Sequence, residues 1–165
     1  MGVIERGAVE EFIRSETDLL NQERYEEWLD LLTDDFDYRM PTPVLRDDPA
    51  QERYSSKSLL AWESTHSLKL RFQRIFTDFA WADRPPAFHR RHLTAIRVAA
   101  TDSETEWEVS CDEPVFRSRA PEGTHIVSAL RKYKVRVTGE SLKLAQRNVF
   151  IDIDRPGLGQ IALLF

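Results

Sequence analysis

YEEWLDLLTDDFDYRMP, residues 25–41, changes its hydrophobic period halfway along. Tyr25, Trp28, Leu29 and Leu32 recur at three- and four-residue spacing, which is one face of a short helix. Thr33-Asp34-Asp35 breaks that stripe, and Phe36, Tyr38 and Met40 then alternate with Asp37 and Arg39 as in a strand. The predicted strand, Phe36 to Met40, ends at Pro41, which has no N–H to give to a ladder. This junction decides how a helical layer meets a sheet.

Toward the N-terminus, Arg6 to Asn21 reads as a helix. Val9, Phe12, Ile13, Glu16, Leu19 and Leu20 share one face, with Glu10, Glu11, Arg14 and Asp18 opposite. The short Asn21-Gln22 link makes a compact helical pair. In the other direction, Pro41 to Ser56 carries three prolines and no periodicity, so a long surface loop is expected, functional or interfacial in kind. A third helix is predicted from Lys57 to Thr77, with Leu59, Trp62, His66 and Leu70 on one side. Trp81 to Arg91 is a connector pinned by Pro85-Pro86.

From His92 onward the period is that of strands. Ile96 and Val98 share a face, and Trp107, Val109 and Cys111 alternate with Glu106, Glu108 and Ser110. Asp112-Glu113-Pro114 predicts an edge bulge or bend before Val115 to Arg119 resumes, and Pro121-Glu122-Gly123 a hairpin turn. On the return strand, Ile126 to Thr138, Val127, Ala129, Tyr133, Val135 and Val137 face one way, interrupted by Arg131. Gly139-Glu140-Ser141 turns the chain into Leu142 to Ile153, and Pro156-Gly157 precedes an apolar end, Ile161 to Phe165. With no internal repeat or linker, residues 1–165 read as one domain. Helices gathered ahead of a meander of long strands predict an α+β fold. Its strongly curved, mostly antiparallel sheet would be closed into a cone by about three N-terminal helices, the NTF2-like (cystatin-like) architecture.

Composition narrows the function classes. The 165 residues, 41% hydrophobic and 31% charged, suit a globular protein that folds without staples. No apolar run reaches the roughly 18 residues of a membrane span, and MGVIERGAVEEF does not read as a secretion signal. The lone Cys111 fits a reducing, cytoplasmic setting. A net charge of −5 argues against nucleic acid, and the basic runs Arg90-Arg91 and Arg131 to Arg136 read as solvated strand faces.

Three segments, in order, resemble the small (β) subunits of aromatic-ring-hydroxylating Rieske non-haem iron dioxygenases. They are Tyr25 to Pro41; WADRPPAFHRRHLTAIRV, Trp81 to Val98; and LKLAQRNVFID, Leu142 to Asp152. The connector departs from the family pattern at Ala87-Phe88-His89, and the 41–56 loop has no alignable pattern. The resemblance implies an α3β3 oxidoreductase of aromatic catabolism, using O2 and electrons from NAD(P)H. Its large (α) subunit carries a Rieske [2Fe–2S] cluster and a mononuclear iron. The β subunits form a trimeric, non-catalytic base without cofactors.

The residue chemistry agrees with that implication. A Rieske cluster needs two Cys and two His, and this chain has one Cys. Its histidines, His66, His89, His92 and His125, show no metal-ligand spacing, so no metal site is expected. The rival reading is a free-standing dehydratase or isomerase of the same fold. It would use Asp34 or Asp35 with Tyr38, His66 and His92 for acid–base work in an apolar pocket. The blander alternative makes Asp34 and Asp35 a helix end and Tyr38 and His66 core residues. Trp28, Trp62, Trp81 and Trp107 are candidate core anchors or subunit contacts. Arg117, Arg119, Arg131 and Arg147, on the long strands, are candidate interface residues.

Overall fold

Helix α1 (Arg6–Asn21) buries Val9, Ile13, Glu16, Thr17 and Leu20, the stripe its sequence period lays on one face. The computed structural model describes residues 5–48, 50–75, 87–120 and 123–152. Within them α2 (Tyr25–Leu29) and α3 (Thr65–Ile75) complete the helices. The strands are β1 (Leu32–Pro43), β2 (Tyr54–Ser64), β3 (Phe88–Arg91), β4 (Thr94–Ala100), β5 (Glu106–Arg119), β6 (Gly123–Thr138) and β7 (Ser141–Ile151). They form one sheet in the order β2-β1-β7-β6-β5-β3, with β4 also on β5. Every pair is antiparallel except β1 with β7, which run parallel. This is the expected α+β arrangement. The helices lie on one side of the sheet, α1 against β3 and β4 and α3 against β1 and β2. Between the layers sit Val9, Ile13, Trp28, Phe36 and Met40, packed on Val109, Val115, Val135, Leu144 and Val149.

The decisive 25–41 segment folds as helix then strand, with the boundary displaced. Strand β1 begins at Leu32 rather than Phe36, because Leu32 and Thr33 are buried and Leu32 pairs with Leu144 of β7. Asp34 and Asp35 fall where the β1–β7 register shifts, between Leu32 and Asp37, and their side chains stay exposed. The acidic pair is a strand irregularity, not a helix stop. Strand β1 also runs past Pro41 to Pro43, since register shifts against β2 on both sides of Pro41 relieve the missing donor.

The helix expected over 57–77 is corrected. Residues up to Ser64 belong to β2, with Ala61 and Glu63 buried and Trp62 outward, a period of two. The helix starts only at Thr65, where Ser64 and Ser67 bond each other's backbone N–H (Ser67 N to Ser64 Oγ, 3.2 Å; Ser64 N to Ser67 Oγ, 2.8 Å). Consequently the 41–56 loop shrinks to residues 44–53. At Asp112-Glu113-Pro114 no bulge interrupts the pairing with β6, which is continuous from Glu106 to Arg119. Pro114 is tolerated because it lies where β3 gives way to β4 on the other side, Arg91 facing Val115 and Thr94 facing Asp112. Gly139, at φ +63°, makes the β6–β7 turn in a conformation that favours glycine. The expected features at 76–86, 121–122 and 153–165 lie outside the described residues.

Candidate functional site

The interior of the cone holds charge. Because odd-numbered residues of β5 and β6 point inward, Glu113, Arg131 and Tyr133 enter the core alongside Val109, Val115 and Val135. Arg147 enters from β7, Tyr38 from β1, Trp28 from α2 and Glu16 from the apolar stripe of α1, all buried. Arg147 Nη2 and Trp28 Nε1 both donate to Glu16 Oε1. Arg131 Nη1 lies 3.6 Å from Glu16 Oε2, pairs with Glu113 and donates to the Tyr133 hydroxyl at 2.6 Å. The Arg147 guanidinium also stacks between rings, 5.1 Å from Trp28 and 5.3 Å from Tyr133.

The two carboxylates respond oppositely to this shared environment. Burial works to raise Glu16, yet the Arg147 and Arg131 charges and the Trp28 hydrogen bond outweigh it and hold the carboxyl below its usual range. Glu113 has neither oxygen in hydrogen-bond geometry, and burial pushes its carboxyl up despite Arg131 and Arg91. Burial likewise raises Tyr38 to about 12 and the Cys111 thiol to about 11. The cluster is a chain of fixed charges joining α1, α2, β5, β6 and β7. It is built to hold these elements in register.

The candidate acid–base set is not brought together. Tyr38 alone is buried inside; Asp34 is exposed at the start of β1, His66 is exposed on α3, and His92 is exposed beyond β3 with its ring on Phe116. Asp35, the other candidate, is exposed and makes a bidentate pair with Arg136. Among the described residues no group of three His, Cys, Asp or Glu could hold a metal ion. Nor is any helix there long and apolar enough to cross a membrane.

Three interface candidates are corrected as well. Arg131 and Arg147 are core residues without exposed surface, and Arg117 is also buried, leaving Arg119 half-buried. The signal was present in the sequence: Arg131 stands in phase with the inward Val127, Ala129 and Tyr133, and Glu16 lies on the apolar stripe of α1. Buried cations demand buried partners, and in the fold these are Glu16 and Glu113.

Among the described residues no helix covers the outer face of the sheet, and it carries large apolar groups. Phe116 faces Ile126 directly across β5 and β6, with Phe88 nearby on β3. Phe88 is 82%, Trp62 69% and Ile126 61% exposed. A solvated sheet face is ordinarily polar, so the Phe88, Phe116 and Ile126 patch is a candidate contact surface, and Trp62 stands apart from it on β2 at the opposite edge. Trp62 is fixed in place by donating from Nε1 to Asp37 Oδ1 at 3.0 Å. At the far end the 44–53 loop closes over Ile151, whose carbonyl accepts from the Tyr54 hydroxyl at 3.2 Å.

Comparison with known proteins gives a consistent answer. A family model described as ring hydroxylating beta subunit matches residues 15–155. Biphenyl 2,3-dioxygenase subunit beta of Rhodococcus jostii (strain RHA1) is 29% identical over 150 residues, covering 87% of this chain and 80% of that protein. Among solved structures, naphthalene 1,2-dioxygenase with indole bound in the active site superposes with a TM-score of 0.78 at 18% identity, covering 98% of this chain and 95% of that one. An NTF2-like protein with a cystatin-like fold from Novosphingobium aromaticivorans gives a TM-score of 0.62 at 14% identity, covering 97% and 88%.

Proposed function

The chain belongs to the ring-hydroxylating β-subunit family and is a β subunit of an aromatic-ring-hydroxylating dioxygenase, and we propose that its part in that enzyme is architectural. As one domain it trimerises in the cytoplasm and seats iron-containing α subunits in an α3β3 complex. The substrates are aromatic compounds, as the names of its biphenyl and benzene dioxygenase relatives suggest.

The observation that carries this reading is the contrast between the two sides of the sheet. The inside is filled by core side chains and a buried ion cluster. The outside presents Trp62, Phe88 and Ile126 to whatever covers it. The chain's own residues do not fit the family's redox groups. Cys111 is the sole cysteine and is buried, whereas a Rieske cluster takes two Cys and two His. The exposed His66 and His92 stand on separate elements. Iron and the iron–sulfur cluster therefore belong to the α subunit, and no residue here is assigned contact with substrate.

The test is co-expression with its cognate large subunit. The expected result is a co-purifying hexamer whose iron and ring-hydroxylating activity are absent from the β chain purified alone. Turnover of a ketone or alcohol by the β chain alone, abolished in His66→Ala or Asp34→Ala, would overturn the architectural reading.

A further inference from the structure

The outer face of the sheet carries a straight cross-strand row. Arg97 of β4 faces Ser110 of β5, Ser110 faces Lys132 of β6, and Lys132 faces Asn148 of β7. Asn148 then faces Arg39 of β1, and Arg39 faces Trp62 of β2. Cations thus stand on alternate strands, about 10 Å apart, with an exposed indole at the end of the row. A groove of 550 Å³ lies beside it, lined in part by Arg97, Lys132, Lys134 and the opposing carboxylate Glu108. Arg39 is paired with Asp37 at 2.8 Å and Lys134 with Glu106 at 3.3 Å, but Arg97 and Lys132 make no ion pair among the described residues. The complementary surface is on the same chain. Between Glu23 and Asp35 there are six carboxylates and one arginine, an excess equal to the −5 net charge of the whole protein. All six carboxylates are exposed, and the side chains of Glu26, Asp30 and Asp34 make no ion pair among the described residues, although Lys143 Nζ bonds the Asp30 backbone carbonyl at 3.0 Å.

We propose that the row Arg97–Lys132–Arg39–Trp62 receives the acidic α2–β1 corner of a second copy of this chain, so that β subunits join head to tail. Two different patches meeting in this way generate a closed ring when the rotation closes, which is the contact a trimer requires. Asp35 on Arg136 within one chain shows the same pairing of corner with sheet on a small scale. Steering by such charges makes the contact salt-sensitive, while Trp62 supplies the apolar anchor. The inference rests on the β-subunit reading above, and its test separates the two.

The full-length chain is measured by size-exclusion chromatography with light scattering at low and high salt. The comparison variants are Arg97→Glu with Lys132→Glu, Glu26→Lys with Asp30→Lys and Asp34→Lys, and all five changes together. The expected result is a trimeric wild type and a dissociation constant raised about ten- to a hundred-fold by either set alone. The combined variant should trimerise again. Circular dichroism establishes that each variant is folded. A trimer unmoved by either set at any salt concentration, or folded combined variants that stay monomeric, would overturn the head-to-tail contact and leave the β-subunit role standing. A wild type that is monomeric both alone and with the large subunit would overturn both.

Discussion

Replacing Glu16 by Gln removes one charge from the centre of the cone and changes almost nothing else in shape. The Gln carbonyl can still accept from Trp28 Nε1, but Arg147 and Arg131 then share only Glu113 as a counter-charge. Breaking a buried pair by neutralising one partner typically destabilises by about 3–5 kcal/mol, because the remaining cation stays desolvated. For a chain of this size that corresponds to a fall in melting temperature of roughly 6–20 °C. The assay is urea unfolding followed by tryptophan fluorescence, since Trp28 reports on the cluster itself. Arg147→Gln should be similarly damaging, and the double variant should cost about 1–3 kcal/mol less than the sum of the two singles. A loss below about 1 kcal/mol for Glu16→Gln, with an unchanged m-value, refutes the cluster as a fixed tie between helices and sheet.

Glu113→Gln should destabilise less than Glu16→Gln, since burial works against the Glu113 charge that Gln removes, whereas Glu16 answers two arginines; equilibrium unfolding beside Glu16→Gln gives the comparison. The pH dependences carry opposite signs. Glu16, depressed in the folded state, contributes stability that is present above its ordinary value of 4.5 and is lost as pH falls through its folded value. Glu113, raised in the folded state, contributes stability that is full below 4.5 and lost as pH rises through its folded value. Acid titration of the unfolding midpoint should therefore be flatter in Glu16→Gln than in wild type, and Glu113→Gln should lose less stability on the alkaline side. Cys111, buried with its thiol pushed up to about 11, should label with iodoacetamide only at the rate of unfolding. Fast labelling of the native protein would contradict its inward placement.

The parts of the fold legible in the sequence were those where one face is apolar and the other polar. Val9, Ile13 and Leu20 gave α1, and Trp107, Val109 and Cys111 gave the phase of β5. The β2–α3 boundary escaped because Leu59, Trp62 and His66 satisfy a helical spacing by coincidence. In the fold Trp62 faces solvent, and only the Ser64–Ser67 capping pair marks where the period changes. The arginines failed for a related reason. Alternation alone cannot say whether an Arg among inward Val residues is buried or displaced. The answer needs Glu16 from α1 and Glu113 from β5, more than a hundred and about twenty residues away from Arg147 and Arg131 respectively. Charge pairing at that separation leaves no local pattern.

The parallel pairing of β1 with β7 has a consequence for biosynthesis. Leu32 meets Leu144 and Arg39 meets Asn148, so an early strand finds its central neighbour only when the last described strand is made. Until residues 141–151 leave the ribosome, β1 presents a bare row of amide and carbonyl groups along one side. Contacts of such long sequence separation form slowly, and nascent chains halted before β7 are the species expected to cling to chaperones or to one another. The yield of this protein in a foreign host should accordingly depend on how quickly its final third is translated and released.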